Sequence, residues 1–239
     1  MVIYEPKGRA REYAALACNL YTGCTHGCLY CYAPGCLHKT HEAWCANVRP
    51  RDGILGALIV DTFKLHREKC KDEILFCFTS DPYCLGIDTS TTRKALEIVG
   101  DAGLRATVLT KGGTAACRDF DLLKKYGFRF GSTIVFVDDD WRKHWEPNAA
   151  PIYDRVQALK IAHEMGIETW VSMEPVIDPT QALAVIEAIH PFVDSWKVGK
   201  INHMKNTTDW RRFLVDVTAL LDSVGADYYI KLDLAAYGE

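Results

Sequence analysis

Seven short runs rich in Val, Ile, Phe, Tyr and Thr, nearly all followed by a helical pattern, constrain this chain more than any other feature. They cover residues 15–21, 73–79, 104–110, 128–136, 167–173, 194–198 and 227–232, with the composition of a pleated, largely buried sheet. The helical patterns between them have recognisable ends. Trp210, Phe213, Leu214, Val217, Leu220, Leu221 and Val224 repeat along one helix face. Pro151 suits a first turn, and Gly166 a helix end that tolerates positive φ. Asp178-Pro179 opens the next helix and Pro191 closes it, while Gly127 and Gly225 punctuate in the same manner. Strand then helix, repeated about six times at intervals of roughly 25 to 40 residues, requires parallel strands joined by crossover helices. An open doubly wound sheet and a full or partial α/β barrel both satisfy that pattern.

The strand ends favour the barrel. The first run leads into GCTHGCLYCYAPGC, the second into Thr79-Ser80-Asp81, and the third into Thr110-Lys111-Gly112-Gly113. Ser132 and Thr133 lie on the fourth, Glu174-Pro175 ends the fifth, and Lys200, Asn202 and His203 follow the sixth. Polar residues at successive strand C-termini are how a barrel assembles one active site at one mouth. The expectation is a partial TIM-type (β/α)6 barrel with six or seven parallel strands. One domain should span 1–239, with a core at about 15–200 and a C-terminal helix and last strand at 207–239.

Composition narrows the function. Hydrophobic residues at 49% and charged residues at 25% are globular values and exclude disorder. The longest apolar run, Ile54 to Val60, has seven residues, too few to span a bilayer. No apolar h-region opens the chain, so a cytoplasmic protein without a secretory signal is expected. A net charge of −3 leaves no footprint for strong nucleic-acid binding. Ten cysteines in such a chain point to metal or redox chemistry rather than to disulfides.

Cys24, Cys28 and Cys31 stand in a C-x3-C-x2-C spacing on a loop with Gly23 and Gly27. Three thiolates on a short loop can grip three irons of a cubane and leave the fourth without a protein ligand. The rival is a zinc-binding interaction module without catalysis, using His38 or His41 as fourth ligand. The x2 spacing between those histidines is shorter than the usual x3 to x5.

At these residues the chain resembles the radical SAM superfamily, whose signature is C-x3-C-x2-C after the first barrel strand with an aromatic, here Tyr30, before the last cysteine. The stretches NLYTGCTHGCLYCYAP and FTSDPYCLGIDTSTTRKALEIVG look like its spore photoproduct lyase-like branch, from about Ala15 to Val137. The resemblance implies a [4Fe-4S] cluster held by Cys24, Cys28 and Cys31, with S-adenosylmethionine (SAM) chelating the open iron. Reductive cleavage of SAM would give a 5′-deoxyadenosyl radical that abstracts hydrogen from a substrate. Thr79, Ser80 and Asp81 match the triplet that receives the methionine amino group. Lys111 matches the lysine that meets its carboxylate, Ser132 a serine approaching SAM, and Tyr30 would lie beside the adenine. A one-electron reductant of flavodoxin or ferredoxin type is implied, acting with a small-molecule or modified-nucleotide substrate.

Candidates for the chemistry on substrate are Cys84, Tyr32 and Glu174. In the spore lyase a cysteine just before the TSD triplet returns a hydrogen atom to product, but Phe78 stands there in this chain. Strand alternation predicts that Cys77 points away from the site, whereas Cys84, on the following loop, can swing inward. With no module beyond the last strand either, DNA photolesion repair is the alternative and not the leading reading. Cys36 and Cys45 are possible ligands of a further metal; Cys18, Cys70 and Cys117 read as core or surface thiols. Residues 137–145, with two tryptophans among charges, form a long connection of the kind used as lids or binding loops. Lys197, Lys200, Lys205, Arg211 and Arg212 are candidates for a phosphate groove.

Overall fold

The computed structural model describes residues 1–202, 204 and 206–238, so His203 and Lys205 lie outside the described residues. The strands, in chain order, are β1 (Ile3–Tyr4), β2 (Leu16–Cys18), β3 (Tyr21–Thr22), β4 (Arg49–Pro50) and β5 (Glu73–Phe76). Then come β6 (Arg105–Thr110), β7 (Arg129–Thr133), β8 (Thr169–Val176), β9 (Ser195–Lys200) and β10 (Asp227–Ile230). Eight of them form one sheet in the order β1-β2-β5-β6-β7-β8-β9-β10. Only β1 is antiparallel to its neighbour, which leaves seven parallel strands in sequence order, the wall of a partial barrel. The short β3 and β4 pair separately.

Helices pack outside the wall. The longer ones are α1 (Ile54–Arg67), α2 (Ser90–Asp101), α3 (Phe120–Tyr126), α4 (Asp139–Trp145), α5 (Ile152–Glu164), α6 (Pro179–Ile189) and α7 (Trp210–Ser223). Among the described residues, no helix is long and apolar enough to cross a membrane. Their ends follow local chemistry. The Asp178 carboxylate accepts the Gln181 N–H at 2.8 Å and Pro179 fills the first turn of α6. Asp209 caps α7 in the same way, and α7 buries Trp210, Phe213, Val217 and Leu221.

Alternation along each strand separates two cores. Phe130, Val108 and Val171 face the helices, whereas Ala17, Leu75 and Trp170 fill the barrel interior with Tyr13, Phe78 and Leu109 around them. The indole of Trp170 lies where a side chain at Gly131 would have to go, so only glycine fits there.

Two candidate surface sites resolve into their ordinary alternatives. Residues 139–145 form α4, capped by Asp138, and Trp141 stacks on Phe136 at 5.9 Å instead of covering a ligand. The basic residues expected to line a groove also diverge. Lys197 turns into the barrel and donates to the carbonyls of Glu12 and Tyr13 at 2.9 and 2.7 Å. Lys200 lies over the rings of Trp210 and Tyr237, and Arg212 pairs with Asp216 at 2.8 Å.

Candidate active site

A cavity of about 390 Å³ opens at the C-terminal end of the parallel strands, and residues from the loops after β2, β5, β6 and β8 line it. Cys24, Cys28 and Cys31 lie in its wall, with Tyr30, Tyr32, Thr79, Ser80, Asp81, Lys111 and Glu174. The site therefore gathers residues spread over 150 positions of sequence (174 − 24).

The cysteine loop is clamped from outside. Asn148, which follows α4, receives the carbonyl of His26 on its N–H at 3.1 Å and donates its side-chain amide to Thr25 O at 3.2 Å. Burial pushes the Cys28 thiol up to about 12 and raises Cys31 as well. A thiol that resists ionisation when buried is stable as thiolate only beside a cation, and metal binding supplies that. Among the described residues no three His, Cys, Asp or Glu side chains converge tightly enough for a single metal ion. Nor is His41 free for zinc, because its Nε2 lies 3.1 Å from Cys28 O. Cys45 Sγ lies 4.0 Å from His41 Nδ1 and Cys36 is exposed, and among the described residues no metal-ligating group of three forms around them.

Behind the loop, Tyr30 donates its phenol proton to Glu146, whose carboxylate pairs with Arg155 at 2.6 Å, with both charged side chains fully buried. Arg155 is held in turn by the carbonyls of Ala150 and Thr133. Lys111 stands 5.7 Å over the Tyr30 ring. Burial opposes the Lys111 charge, but Cys28 and Glu146 outweigh it and keep the ammonium above its ordinary value. Nothing in the sequence around Glu146 marks it, since its partners are 116 and 9 positions away (146 − 30 and 155 − 146).

The triplet after β5 divides its work. Asp81 Oδ1 accepts from Tyr83 N–H at 2.8 Å and Thr110 hydroxyl at 2.6 Å; Oδ2 accepts from Lys111 N–H at 2.8 Å and faces His26 Nδ1 at 3.4 Å. A carboxylate has about four lone-pair directions, so Asp81 uses three of them to tie two loops together while it remains in the cavity wall. Ser80 Oγ, in contrast, is buried without a hydrogen-bond partner, as is Nε2 of His26. Burial also holds the His26 imidazole below its usual value. The backbone amides of Phe78 and Thr79 are fixed by Asn19 Oδ1 at 2.8 and 2.9 Å.

Two expectations need correction. Ser132 does not line the cavity: it shares the helix-facing side of β7 with Phe130, donates to Thr110 O at 3.2 Å, and leaves the wall to Thr133. Cys77, just past the end of β5 at Phe76, touches the cavity edge, while its side chain packs in the helix-facing core as strand alternation predicts. Cys84 cannot swing inward. Asp81 holds Tyr83, whose carbonyl presses on Gly112 so closely that no side chain fits there, and Cys84 Sγ rests 3.7 Å from Cys24 Sγ, behind the cavity wall.

The opposite wall is already paired. Glu174 Oε2 accepts from Tyr13 OH and from Lys231 Nζ, both at 2.6 Å, while its Oε1, among the described residues, has only Asn202 Nδ2 at 3.4 Å. Tyr32 is 44% exposed and donates to Phe78 O at 3.2 Å. Lys7 and Arg9 reach the same cavity from the N-terminal segment.

The family model of the radical SAM superfamily matches residues 18–190, which takes in the cysteine loop and the strands up to β8. The chain belongs to the radical SAM superfamily. An uncharacterized protein of Methanocaldococcus jannaschii, MJ0683, is 28% identical over 200 residues, 82% of this chain and 73% of that protein. An uncharacterized protein of Acidianus two-tailed virus, ORF301, is 26% identical over 178 residues, 69% of this chain and 57% of the viral protein. Among solved structures, spore photoproduct lyase with bound AdoMet and dinucleoside spore photoproduct superposes with a TM-score of 0.75 at 15% identity. That match covers 95% of this chain and 78% of the lyase. Streptococcus suis SuiB bound to S-adenosylmethionine gives 0.66 at 12% identity, covering 89% of this chain and 49% of SuiB. At such identities the likeness is one of fold, and it is the partial barrel of the superfamily. Membership makes this chain an enzyme with a [4Fe-4S] cluster and SAM as cofactors, acting on a substrate with the help of a reductant. The non-catalytic zinc module is thereby overturned.

Proposed function

We propose that Cys24, Cys28 and Cys31 hold the cluster at one end of the cavity and that substrate enters between it and the Tyr13–Glu174 wall. The observation that carries this reading is the set of unmet donors and acceptors on the cysteine side. Three thiols, one buried and two partly so, a lysine, and two residues with orphaned polar atoms, Ser80 and His26, line one cavity. A cluster with chelated SAM supplies a cation for the thiols and matching groups for the rest. When bound, the reduced cluster supplies the electron that cleaves SAM to a 5′-deoxyadenosyl radical, which abstracts hydrogen from substrate.

The remaining work falls to the protein. Lys111 offers its ammonium to the methionine carboxylate, and Ser80 a hydroxyl to the amino end. Thr79, on an amide fixed by Asn19, shapes the same wall, and Tyr30, locked by Glu146, gives the adenine a flat neighbour. Tyr32 and Glu174 face the substrate side, where Glu174 Oε1 is an acceptor for an N–H or O–H of the substrate. Lys7 and Arg9 suit an anionic group at the mouth. We take the whole chain, 1–239, to act as one domain in which residues 207–239 complete the barrel and deliver Lys231. The reductant is of flavodoxin or ferredoxin type, and the substrate a small molecule or modified nucleotide.

Anaerobic reconstitution with dithionite and SAM tests the reading. It should yield 5′-deoxyadenosine and deuterium exchange with the substrate; reconstituted protein that leaves SAM intact would sink it. A second reading, repair of spore photoproduct, is favoured by Cys77, a thiol in the cavity wall. Phe78 cannot return hydrogen as a thiol can, and it makes that wall apolar, so a dinucleotide spore photoproduct should give no thymine. Thymine release would promote the second reading over the first.

A further inference from the structure

Cys84 stands behind the cavity wall, 3% exposed, and has no part in the site described above. Its Sγ nevertheless meets that of Cys24 at 3.7 Å, across 60 positions of sequence, and both are free thiols. Each side of this contact is held. Cys24 N–H donates to Trp44 O at 3.4 Å, and the carbonyls of Trp44 and Asn47 fill the space beside Gly23, whose φ is +81°. On the other side, buried Tyr83 is tied by its N–H to Asp81 at 2.8 Å and by its hydroxyl to Asp119 at 3.0 Å. Two thiols held in contact by such backbones have little freedom left to lose in reacting with each other.

Their access to solvent differs. Cys24 lines the open cavity and is partly exposed, whereas Cys84 is buried behind it. With a cluster bound, the Cys24 sulfur is committed to an iron that also holds three sulfides, and Cys84 has no place on that iron. Once the cluster is lost, Cys24 is a bare thiol at the cavity surface. A small oxidant then reaches Cys24 first, with Cys84 already against it.

We propose that Cys84 is a resolving thiol, which in the cluster-free protein captures oxidised Cys24 as a disulfide and keeps that cluster ligand recoverable. This rests on the reading of Cys24 as a cluster ligand. Hydrogen peroxide passes one oxygen to the Cys24 thiol, giving the sulfenic acid and water. The Cys84 sulfur then attacks Cys24 Sγ, the S–O bond breaks and a second water leaves, so two thiols and one peroxide yield one disulfide and two waters. The sulfurs close from 3.7 Å to about 2.05 Å, which rotation about the Cα–Cβ bonds supplies. A dithiol restores both cysteines and is itself oxidised to a disulfide. Without Cys84 the sulfenic acid proceeds to sulfinic acid, which thiols do not reverse.

The test uses the full chain, stripped of cluster by a chelator and treated with hydrogen peroxide. Free thiols are alkylated and the non-reduced peptides are read by mass spectrometry; a second portion is reduced with dithiothreitol and reconstituted for iron. Wild type should show a Cys24–Cys84 link and regain its iron. Cys84→Ala and Cys84→Ser, which reconstitute like wild type before peroxide, should afterwards carry sulfinic acid at Cys24 and regain several-fold less iron. A disulfide from Cys24 to Cys28 or Cys31 in place of Cys84 overturns the proposal. So does equal recovery of iron in wild type and both variants, or failure of both variants to take up iron before peroxide. Cys24→Ala separates the two readings. If it keeps its cluster, the ligand reading fails and this inference with it; if it loses the cluster and no Cys24–Cys84 link forms, only this inference fails.

Discussion

The two walls of the cavity are built on opposite plans. On the Glu174 side the polar groups pair with one another: Tyr13 and Lys231 both donate to one carboxylate oxygen at 2.6 Å. On the cysteine side, polar atoms of Ser80 and His26 have no partner, while of the groups that do pair, Asp81 shares the wall and Glu146 stands one layer back. The difference separates a wall that is complete without ligand from one completed by its cofactors. Complete walls should tolerate loss of cofactor and fail when a pair is broken; unfinished ones should behave in the reverse manner.

The largest effect expected is on the unfinished wall. Replacing Cys24, Cys28 or Cys31 by Ala should abolish the iron–sulfur absorption, because two thiolates rarely hold a cubane. Survival of the chromophore in any of the three would reassign the ligands.

Next comes the buried layer behind it. Glu146→Gln leaves Arg155 charged with no counterion in a fully buried position, a change that costs about 3 to 5 kcal/mol. Thermal unfolding should fall by roughly 6 to 20 °C in a chain of this size. A shift within the error of calorimetry would mean that the pair is not desolvated as described.

Lys111→Ala sharpens the comparison at smaller scale. Its iron content should stay near wild type, while SAM affinity drops roughly ten- to a hundred-fold through loss of a charge-assisted contact. Titration with SAM checks this, and equal affinities would free Lys111 for another role. Cys84→Ala should do less still. Because the thiol lies behind the wall, 5′-deoxyadenosine formation should persist, and its disappearance would restore Cys84 as a participant.

The smallest effect is a pH dependence on the paired side of the barrel. Burial first, then the nearby Arg129, lower Lys197 to about 8 from an ordinary 10.5. The folded protein therefore binds fewer protons than the unfolded chain between those values, so this residue makes stability rise from about pH 8 to about pH 10.5. Lys197→Met should flatten that rise in denaturant titrations. An unchanged slope would show that the ammonium is not desolvated.

The sequence alone determined what is local or periodic. Seven apolar runs with capped helices between them specified the parallel strands, since period and capping act over a few residues. The C-x3-C-x2-C loop was legible because one short loop can supply every protein ligand of the cluster. What tertiary structure decided was which polar groups meet. Tyr13 meets Glu174 and Tyr30 meets Glu146 across 161 and 116 positions, and Lys231 reaches Glu174 across 57, separations that no local signal announces. It also decided which way side chains turn once a strand has ended. Ser132 turns from the cavity because β7 continues through it, whereas Cys77, just past β5, touches the cavity edge while packing in the helix-facing core. Asp81 likewise accepts from Thr110 and Lys111, 29 and 30 positions away, because loops packed in three dimensions bring them to it.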